Sequence, residues 1–341
     1  MKALIIGGTG TISTAVVHRL AAQPLWDVWV LNRGRRNAAL PDNVKALTAD
    51  INDEAAVQAA LGDMRFDAVC QFIAYTEADV QRDVRLFAGR TEQYLFISSA
   101  SAYHKPARSY IITEGTTLAN PYWQYSRDKI ACEEYLMKQY RENGFPVTIV
   151  RPSHTYDEKK IPLGLHGHNG SWQVIKRIME EKPVIIQGDG TSLWTLTHNT
   201  DFAVGFTGLI GNPRALGEAF HITGDEVLTW NQIYETIAAV LGKKLQAVHV
   251  SSDFLCAAGA KYGYDFIGTL TGDKSSSAVF DNTKLKRAVP DMKTTVRFDH
   301  GVRLALDYIL AHPEECQKDD PEFDTWCDRV IAARQAALDN L

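Results

Sequence analysis

Short apolar runs alternate with amphipathic stretches through roughly the first 150 residues of the chain. Runs in which nearly every residue is apolar are typical of parallel strands that helices cover on both faces. Such strands alternating with helices predict an α/β fold with a doubly wound parallel sheet of the Rossmann type. We expect strands at 2–6, 28–31, 44–49, 68–73, 94–98 and 146–150, and helices at 9–20, 53–61, 78–87 and around Tyr125.

The pattern becomes less regular after about residue 156. We predict a dinucleotide-binding Rossmann domain over 1–155 and a smaller C-terminal α/β substrate lobe over 156–341. The chain is long enough for these two units. In the second half we expect helices at 172–181, 199–210, 229–241, 299–309 and 324–338, and strands at 184–186 and 219–222.

Composition narrows the class of protein. The 341 residues are 45% hydrophobic and 23% charged, with a net charge of −5, so nothing draws the chain toward nucleic acid or an anionic membrane. No apolar run is long enough to span a bilayer, and the N-terminus lacks a signal-peptide pattern. The five cysteines include no Cys-x-x-Cys pair, and the histidines have no metal-ligand spacing. We therefore expect a cytoplasmic protein with reduced thiols and no metal, nucleic-acid or membrane partner.

A glycine-rich segment separates the first predicted strand from the first helix. Glycines let the backbone approach a pyrophosphate, and a helix N-terminus offers free N–H groups and the positive end of its dipole. A plain glycine-rich turn is the alternative, but the strand before and the helix after favour dinucleotide binding. In the run Gly7-Gly8-Thr9-Gly10-Thr11-Ile12-Ser13 we assign Gly7, Thr9, Gly10, Thr11 and Ile12 to the cofactor.

The residue that follows the second strand bears on the choice of cofactor. Arg33 stands about where an acidic residue would hold an NAD ribose, and Arg35 and Arg36 follow it. No carboxylate competes for the 2′-hydroxyl, and guanidinium groups suit a 2′-phosphate. The sequence therefore favours NADP over NAD as the NAD(P) cofactor, although a solvated basic loop is compatible with either.

Three more positions at strand ends complete the predicted cofactor contacts. Asp50, after the third strand, is placed to meet the adenine ring, but it can equally cap the next helix alongside Asp53. Ile51 next to it and Ala74 after the fourth strand are assigned to the same site.

Tyr125 and Lys129 are the main candidates for chemistry. Residues four apart share a helix face, so the phenol and the ammonium would point into the same space. A nearby positive charge favours phenolate, so we expect Lys129 to lower the pKa of Tyr125 and make it a proton donor and acceptor near neutral pH. Ser99, at the end of the fifth strand, can hold a substrate oxygen. Alone the spacing is weak, because most such pairs are only helix surface.

Together these segments resemble the extended short-chain dehydrogenase/reductases, the NAD-dependent epimerase/dehydratase group. The resemblance covers most of residues 1–240. Its motifs are Gly7-x-x-Gly10, the serine run 97–103, Asn120-Pro121-Tyr122-x-x-Tyr125-x-x-x-Lys129, Val150-Arg151-Pro152, and Gln187-Gly188-Asp189-Gly190-Thr191 followed by His198-x-x-Asp201.

The resemblance implies roles for individual residues. Tyr125 would be the general acid/base, Lys129 would hold the nicotinamide ribose, and Ser99 would bind the reacting oxygen. Pro152 would flank the nicotinamide. Ser98 and Ser101 remain alternatives to Ser99. The resemblance also implies that about 197–222 return to the Rossmann domain, and a homodimer is an expectation that rests on it alone.

The chain departs from the sugar-nucleotide enzymes of this group at the predicted substrate contacts. Trp194 stands where those enzymes carry an arginine for the substrate diphosphate, and Ser153 and His154 follow the Arg-Pro pair in place of an asparagine. A tryptophan cannot replace a guanidinium on a diphosphate. Trp194 can be a carbohydrate platform or part of the core, and Arg177 or Arg214 could take over the arginine's role.

We therefore expect an NAD(P)-dependent oxidoreductase or epimerase that acts at a carbinol of a sugar or sugar derivative. Ala100 and Ser101 stand where dehydratases of the group often carry a carboxylate, which disfavours dehydration. A one-way NADPH-dependent carbonyl reductase is one alternative. The other is a non-catalytic nucleotide-sensing or RNA-binding scaffold, similar to chloroplast stem-loop-binding proteins. The negative net charge and the presence of Ser99, Tyr125 and Lys129 favour an enzyme.

Overall fold

A computed structural model describes residues 1–34 and 40–341. Most predicted strands and helices occur within a few residues of their expected positions. The strands are β1 Lys2–Ile6, β2 Asp27–Asn32, β3 Lys45–Thr48, β4 Ala68–Gln71, β5 Tyr94–Ile97, β6 Ile111–Ile112, β7 Val147–Pro152, β8 His154–Tyr156, β9 Val184–Gln187, β10 Leu193–His198, β11 Ala219–Ile222, β12 Val227–Thr229, β13 Ala247–Val250 and β14 Val279–Phe280.

Helices follow most of these strands, and one segment near residue 270 is wound as a π-helix, Ile267–Lys274. The α-helices are α1 Ser13–Ala21, α2 Glu54–Leu61, α3 Glu77–Phe87, α4 Gln124–Asn143, α5 Trp172–Met179, α6 Asn199–Leu209, α7 Trp230–Val240, α8 Ser252–Ala260, α9 Thr283–Ala288, α10 Phe298–Ala311, α11 Pro313–Cys316 and α12 Pro321–Asp339.

The central sheet has the order β11-β7-β5-β4-β1-β2-β3, and every neighbouring pair is parallel. Strand β1 pairs with β2 on one side and with β4 on the other, so the strand order reverses beside it. Ligands of such sheets bind at the carboxyl ends of the strands near this reversal. The predicted fold class, a doubly wound parallel sheet of the Rossmann type, is confirmed.

Both faces of the sheet are covered by helices, which explains why its strands are apolar throughout. Helices α1 and α6 pack on one face, where Val17, Phe202 and Phe206 are fully buried. Helices α2, α3 and α4 cover the other face with residues such as Val80 and Leu136. Burying apolar side chains on both faces supplies the main stabilisation of this half.

The second half of the chain also contributes to the central sheet. Strand β11 is the edge strand beside β7, with Ala219 opposite Ile149. Helix α6 lies against α1, where Arg19 Nε donates to Thr207 Oγ1 at 3.1 Å. Elements between about 199 and 222 therefore lie on the half that contains the central sheet.

A separate apolar core lies under the remaining elements of the second half. Strand β10 is its centre, parallel to β8 and antiparallel to β12. Strand β6 comes from the first half of the chain yet pairs with β14, and this connects the two halves above the sheet. The predicted helix and strand pattern missed these two- and three-residue strands, because they are stabilised by their neighbours rather than by an apolar period of their own.

No helix within the described ranges is long and apolar enough to cross a membrane. The described residues also bring no three His, Cys, Asp or Glu side chains into a group that could hold a metal ion.

Candidate active site

Tyr125 and Lys129 lie in the first two turns of α4, and both point toward the carboxyl ends of the strands. Lys129 is only 1% exposed, and its Nζ donates to the carbonyl oxygens of Ala74 and Ile97, each at 2.7 Å. These carbonyls follow β4 and end β5. The ammonium lies 5.8 Å from the centre of the Tyr125 ring. The helix thus holds its lysine firmly between two strand ends, next to the tyrosine.

Burial dominates the proton affinities of this pair. It raises the pKa of Tyr125 to about 12, against a smaller opposite effect of the Ser99 hydroxyl. It lowers the pKa of Lys129 to about 8. The sequence predicted a lowered pKa for Tyr125, whereas in this structure its pKa is raised, because desolvation of the phenol is the largest effect.

Ser99 lies between β5 and a short 3-10 turn, Ala100–Ala102. Its Oγ accepts from the backbone N–H of Ser101 at 3.1 Å and lies 2.8 Å from Ser101 Oγ. The hydroxyl of Ser126 in α4 donates to Ser101 Oγ at 2.8 Å. Ser101 therefore links the serine loop to the helix that carries Tyr125.

Ser98 is directed away from this loop. Its hydroxyl donates to the buried Glu133, which also pairs with Arg151. The two remaining alternatives, Ser99 and Ser101, both line the cavity described below. Of these, Ser99 is the serine whose hydroxyl affects the pKa of Tyr125.

The glycine loop has the geometry of a tight cradle at the end of β1. Gly7 has a φ of +79°, and a Cβ there would lie 2.5 Å from Ile73 Cγ2. The hydroxyl of Ser13 donates to the Gly7 carbonyl at 2.7 Å and accepts from the Gly10 N–H at 2.9 Å. At Gly10 a Cβ would meet only Ser13 Oγ and the Gly7 carbonyl, at 3.4 and 4.0 Å, so the outer side of the loop is open.

Two buried polar atoms near this loop suit a dinucleotide. Asn32 Nδ2, at the end of β2, and Asn199 Oδ1, at the start of α6, have no hydrogen-bond partner among the described residues. Asn199 Nδ2 donates to the carbonyl of Thr11 at 3.0 Å, so its free oxygen lies at the same loop. Buried polar groups are normally paired, so these two atoms and the open side of the loop fit a bound nucleotide.

The other predicted cofactor residues lie along the same edge of the sheet. Arg33 is exposed after β2, whereas the predicted contacts of Arg35 and Arg36 fall outside the described residues. Asp50 Oδ1 accepts from the Asn52 N–H at 3.0 Å, and it is Asp53 that caps α2. Ile51 is buried, and Ala74 supplies a carbonyl to Lys129. Thr9 directly precedes Gly10, and Ile12 follows it by two positions.

A cavity of about 380 Å³ lies between the sheet edge and the second-half elements. It brings together the predicted catalytic and substrate residues Ser99, Tyr125, Ser153, His154 and Trp194 with Pro152 at the end of β7. Lys129 lies beneath it and does not line it. The lining residues are Ser99, Ala100, Ser101, Lys105, Ile112, Trp123, Tyr125, Pro152, Ser153, His154, Trp194, Asp273, Lys274, Ala278 and Phe280.

Trp194 belongs both to the core and to the wall of the cavity. It is 3% exposed and lies 5.4 Å from Trp230, ring centre to ring centre. Its Nε1 donates to His154 Nδ1 at 3.2 Å. Burial, helped by the charge of Lys274, lowers the pKa of His154 to about 3, so the imidazole is neutral at physiological pH. The core alternative for Trp194 is confirmed, whereas the carbohydrate platform stays a prediction for the part of the residue that lines the cavity.

Among the residues that the structure describes, no arginine lines this cavity. Arg177 is 1% exposed, and its guanidinium is used by Asp324, Asp328 and the carbonyl of Pro183. Arg214 lines a different cavity. Neither replaces the missing diphosphate arginine, contrary to the suggestion from the sequence.

Sequence reasoning missed three charged residues of the cavity, Lys105, Asp273 and Lys274. We call them the charged group, and we call the predicted catalytic residues Ser99, Tyr125 and Lys129 the catalytic group. The only feature of the sequence that could have identified one of them is the position of Lys105, a few residues after the serine motif. Asp273 and Lys274 end a π-helix for which no sequence pattern was recognised.

The sequence of this chain matches a known protein family. The profile of the NAD dependent epimerase/dehydratase family matches residues 3–88 and 85–223, which is well over half of the chain. The chain belongs to this family. The resemblance suggested by the sequence motifs is thereby confirmed, and with it an NAD-dependent epimerase, dehydratase or reductase type of enzyme.

The individual relatives of this epimerase/dehydratase share little sequence identity with it. It is 27% identical over 254 residues to 2'-dehydrokanamycin reductase of Streptomyces kanamyceticus, covering 74% of this chain and 70% of that protein. It is 26% identical to the chloroplast stem-loop binding protein of 41 kDa b of Arabidopsis thaliana, over 71% of this chain and 63% of that one. A UDP-glucuronic acid 4-epimerase from Bacillus cereus, solved with NAD, shares the fold with a TM-score of 0.69 at 17% identity, over 91% of this chain and 96% of that chain.

Proposed function

We propose that this protein is an NAD(P)-dependent oxidoreductase or epimerase that transfers hydride at a carbinol carbon of a sugar or sugar derivative, with Tyr125 as general acid/base. The observation that carries the proposal is that Ser99 and Tyr125 line one cavity, with Lys129 buried directly beside the tyrosine. A serine hydroxyl and a phenol that line one cavity could both bond to one substrate oxygen.

The dinucleotide, when bound, accepts or donates the hydride at its nicotinamide ring. The glycine loop at Gly7 and Gly10, with Asn32 and Asn199, would hold its phosphates and adjoining ribose. Ser99 would bind the substrate oxygen, and Tyr125 would donate a proton to it in reduction or remove one in oxidation. Lys129 would orient the nicotinamide ribose and keep a positive charge beside the phenol.

A one-way NADPH-dependent carbonyl reductase is the second candidate, and two observations favour it. The raised pKa of Tyr125 keeps the phenol protonated at neutral pH, which suits a proton donor to a carbonyl oxygen. One of the relatives is a reductase by name. Arg33 adds an expected preference for NADP over NAD.

The nucleotide that the purified protein retains tests this proposal. We expect that denaturation releases either NAD(H), as an epimerase that regenerates its cofactor requires, or nothing, with NADPH then bound from solution, as a reductase requires. A protein that binds neither nucleotide but retains RNA would instead support the non-catalytic scaffold suggested by the stem-loop binding relative.

Binding of a sugar nucleotide tests the substrate class. With Trp194 in place of an arginine and no arginine among the described lining residues, we expect UDP-glucose to bind no more tightly than millimolar in calorimetry. Micromolar binding would contradict this reading of Trp194. The function would then be closer to that of the sugar-nucleotide relatives.

A further inference from the structure

The charged group lies in the same cavity as Ser99 and Tyr125 but comes from two distant segments. Lys105 follows the serine loop after β5, whereas Asp273 and Lys274 end the π-helix. The two lysines are 2% and 8% exposed. Lysine is almost never buried to this degree unless it is paired, so their partners matter.

The partners present do not balance the two positive charges. Lys105 Nζ donates to the backbone carbonyl of Asp273 at 3.3 Å and lies 4.0 Å from its carboxylate. For Lys274 Nζ, the described part of the chain offers no hydrogen bond or ion pair. Asp273 is the only carboxylate among the described lining residues, and His154 beside them is neutral. Among the described lining residues the cavity therefore holds two lysine amines against one carboxyl group. Burial lowers the pKa of Lys105 and Lys274 and raises that of Asp273, so an anionic ligand would favour the charged form of both lysines.

The π-helix holds the charged group in a defined position relative to Tyr125. Asn120 Nδ2 donates to the carbonyl of Gly272 at 2.7 Å and to that of Ser101 at 2.8 Å, so one side chain joins the π-helix to the serine loop. A Cβ at Gly268 would lie 2.2 Å from Trp123 Cδ1, which shows how closely the π-helix approaches the start of α4. Helices of this type are rare and occur frequently at functional sites.

Resting on the hydride-transfer function proposed above, we propose that Lys105 and Lys274 bind an anionic group of the substrate, a carboxylate or a phosphate monoester on the same molecule whose carbinol meets Tyr125. Such a group would supply the partner that Lys274 lacks. The cavity volume of about 380 Å³ is near the lower end for ligand sites, which suits a single acidic sugar or polyol unit.

Asp273 raises a competing assignment, in which the carboxylate binds a substrate ammonium group. Its carboxylate already lies 4.0 Å from Lys105 Nζ and also interacts with the charge of Lys274, so one carboxyl group is shared by two lysines. A cationic ligand would enter beside two buried ammonium groups and one carboxylate, so like-charge repulsion would oppose it. The balance of charge therefore favours an anion.

Four sugars with a common ring test the proposal in the unmodified protein. Isothermal titration calorimetry on the dinucleotide-saturated protein would compare glucose, glucosamine, glucuronate and glucose 6-phosphate. We expect at least one of the two anions to bind tenfold or more tightly than glucose, and the difference between them identifies carboxylate or phosphate as the group bound. Equal binding of glucose and both anions, tightest binding of glucosamine, or no binding of any of the four would overturn the proposal.

Two variants, each of which removes one positive charge, test whether the anion preference depends on Lys105 and Lys274. Lys274→Gln and Lys105→Gln should each reduce the anion preference about tenfold while leaving glucose binding unchanged. Lys243→Gln removes the same charge from an exposed turn after α7 and should leave the preference intact. Unchanged dinucleotide affinity shows that a variant is folded. An anion preference that survives in both cavity variants would contradict the assignment.

The readouts separate this proposal from the hydride-transfer function. Tyr125→Phe should abolish turnover and keep the anion preference, because the phenol is not part of the charged group. If the wild-type protein prefers anions but catalyses no hydride transfer with them, the proposed function fails and the anion site stands. If it oxidises neutral sugars as well as acidic ones and Lys274→Gln changes nothing, the function stands and the anion site fails.

Discussion

The catalytic group and the charged group share one cavity but are built in opposite ways. In the catalytic group, polar atoms are held by the protein itself: Lys129 donates to two carbonyls, and Ser99 is bonded to Ser101. In the charged group, Lys274 is buried without such a partner in the described chain. A group that moves protons must be oriented before the substrate arrives, whereas a group that selects a substrate must leave its bonds for the ligand.

Removal of the Tyr125 hydroxyl should have the largest effect. Tyr125→Phe is expected to lower kcat by about 10²- to 10⁴-fold, because general acid/base catalysis is lost while the ring still fills its place. Nicotinamide absorbance would measure turnover, and calorimetry would measure cofactor binding, which should not change. Tyr122→Phe is the matched control, since Tyr122 is 38% exposed and lies outside the cavity lining; it should retain activity within about twofold. A fully active Tyr125→Phe protein would refute the mechanism.

Disturbing the contact between the π-helix and α4 should affect both groups. In Gly268→Ala the added Cβ would lie 2.2 Å from Trp123 Cδ1, so one of the two must shift. We expect a loss of about 1–3 kcal/mol in the free energy of unfolding, measured with urea. Gly115→Ala is the control, because its nearest neighbour, Thr113 Oγ1, is 3.7 Å from the new atom. If the two variants are equally stable, the π-helix is not packed as described.

The pH dependence of turnover should report the charge of Lys129. Its pKa is lowered to about 8, so it is charged below that pH and neutral above it. If the charge assists catalysis, kcat/KM for reduction should fall roughly tenfold between pH 7 and 9. A profile that stays flat to pH 10 would show that the charge is not needed.

Unfolding does not account for such a loss of activity. The pKa of Lys129 is 10.5 in an unfolded chain, so between pH 8 and 10.5 the unfolded state binds more protons than the folded state. The contribution of Lys129 to stability therefore increases over this range as the pH rises. Circular dichroism at pH 7 and 9 would check that the fold is retained.

The smallest effect is expected from Arg33, at the predicted cofactor site, which does not line the cavity that holds both groups. Arg33→Ala should weaken NADPH binding about fivefold and leave NADH binding unchanged, because an exposed guanidinium contributes roughly 1 kcal/mol to a phosphate contact. Calorimetry with both nucleotides measures this. Tighter binding of NADH than NADPH by the wild-type protein would remove the argument for NADP.

The catalytic group could be predicted because its parts are local. Tyr125 and Lys129 lie one helical turn apart, and Ser99 and the glycine loop follow strands whose apolar residues mark them clearly. The proton affinities could not be predicted in the same way. Desolvation depends on what packs around the phenol and the ammonium. It raises the pKa of Tyr125, whereas the sequence predicted that this pKa is lowered.

The sequence by itself determined the parallel sheet, the position of the glycine loop and the family. These features depend on the periodicity of apolar residues and on short motifs, both of which involve residues close together in the chain. Only the tertiary structure decided the composition of the cavity. Lys105 and Asp273 are 168 residues apart and meet through a π-helix that packs on α4, while Arg177 is drawn away into ion pairs with α12. Such contacts depend on how the second half folds over the sheet edge, and no local pattern records that arrangement.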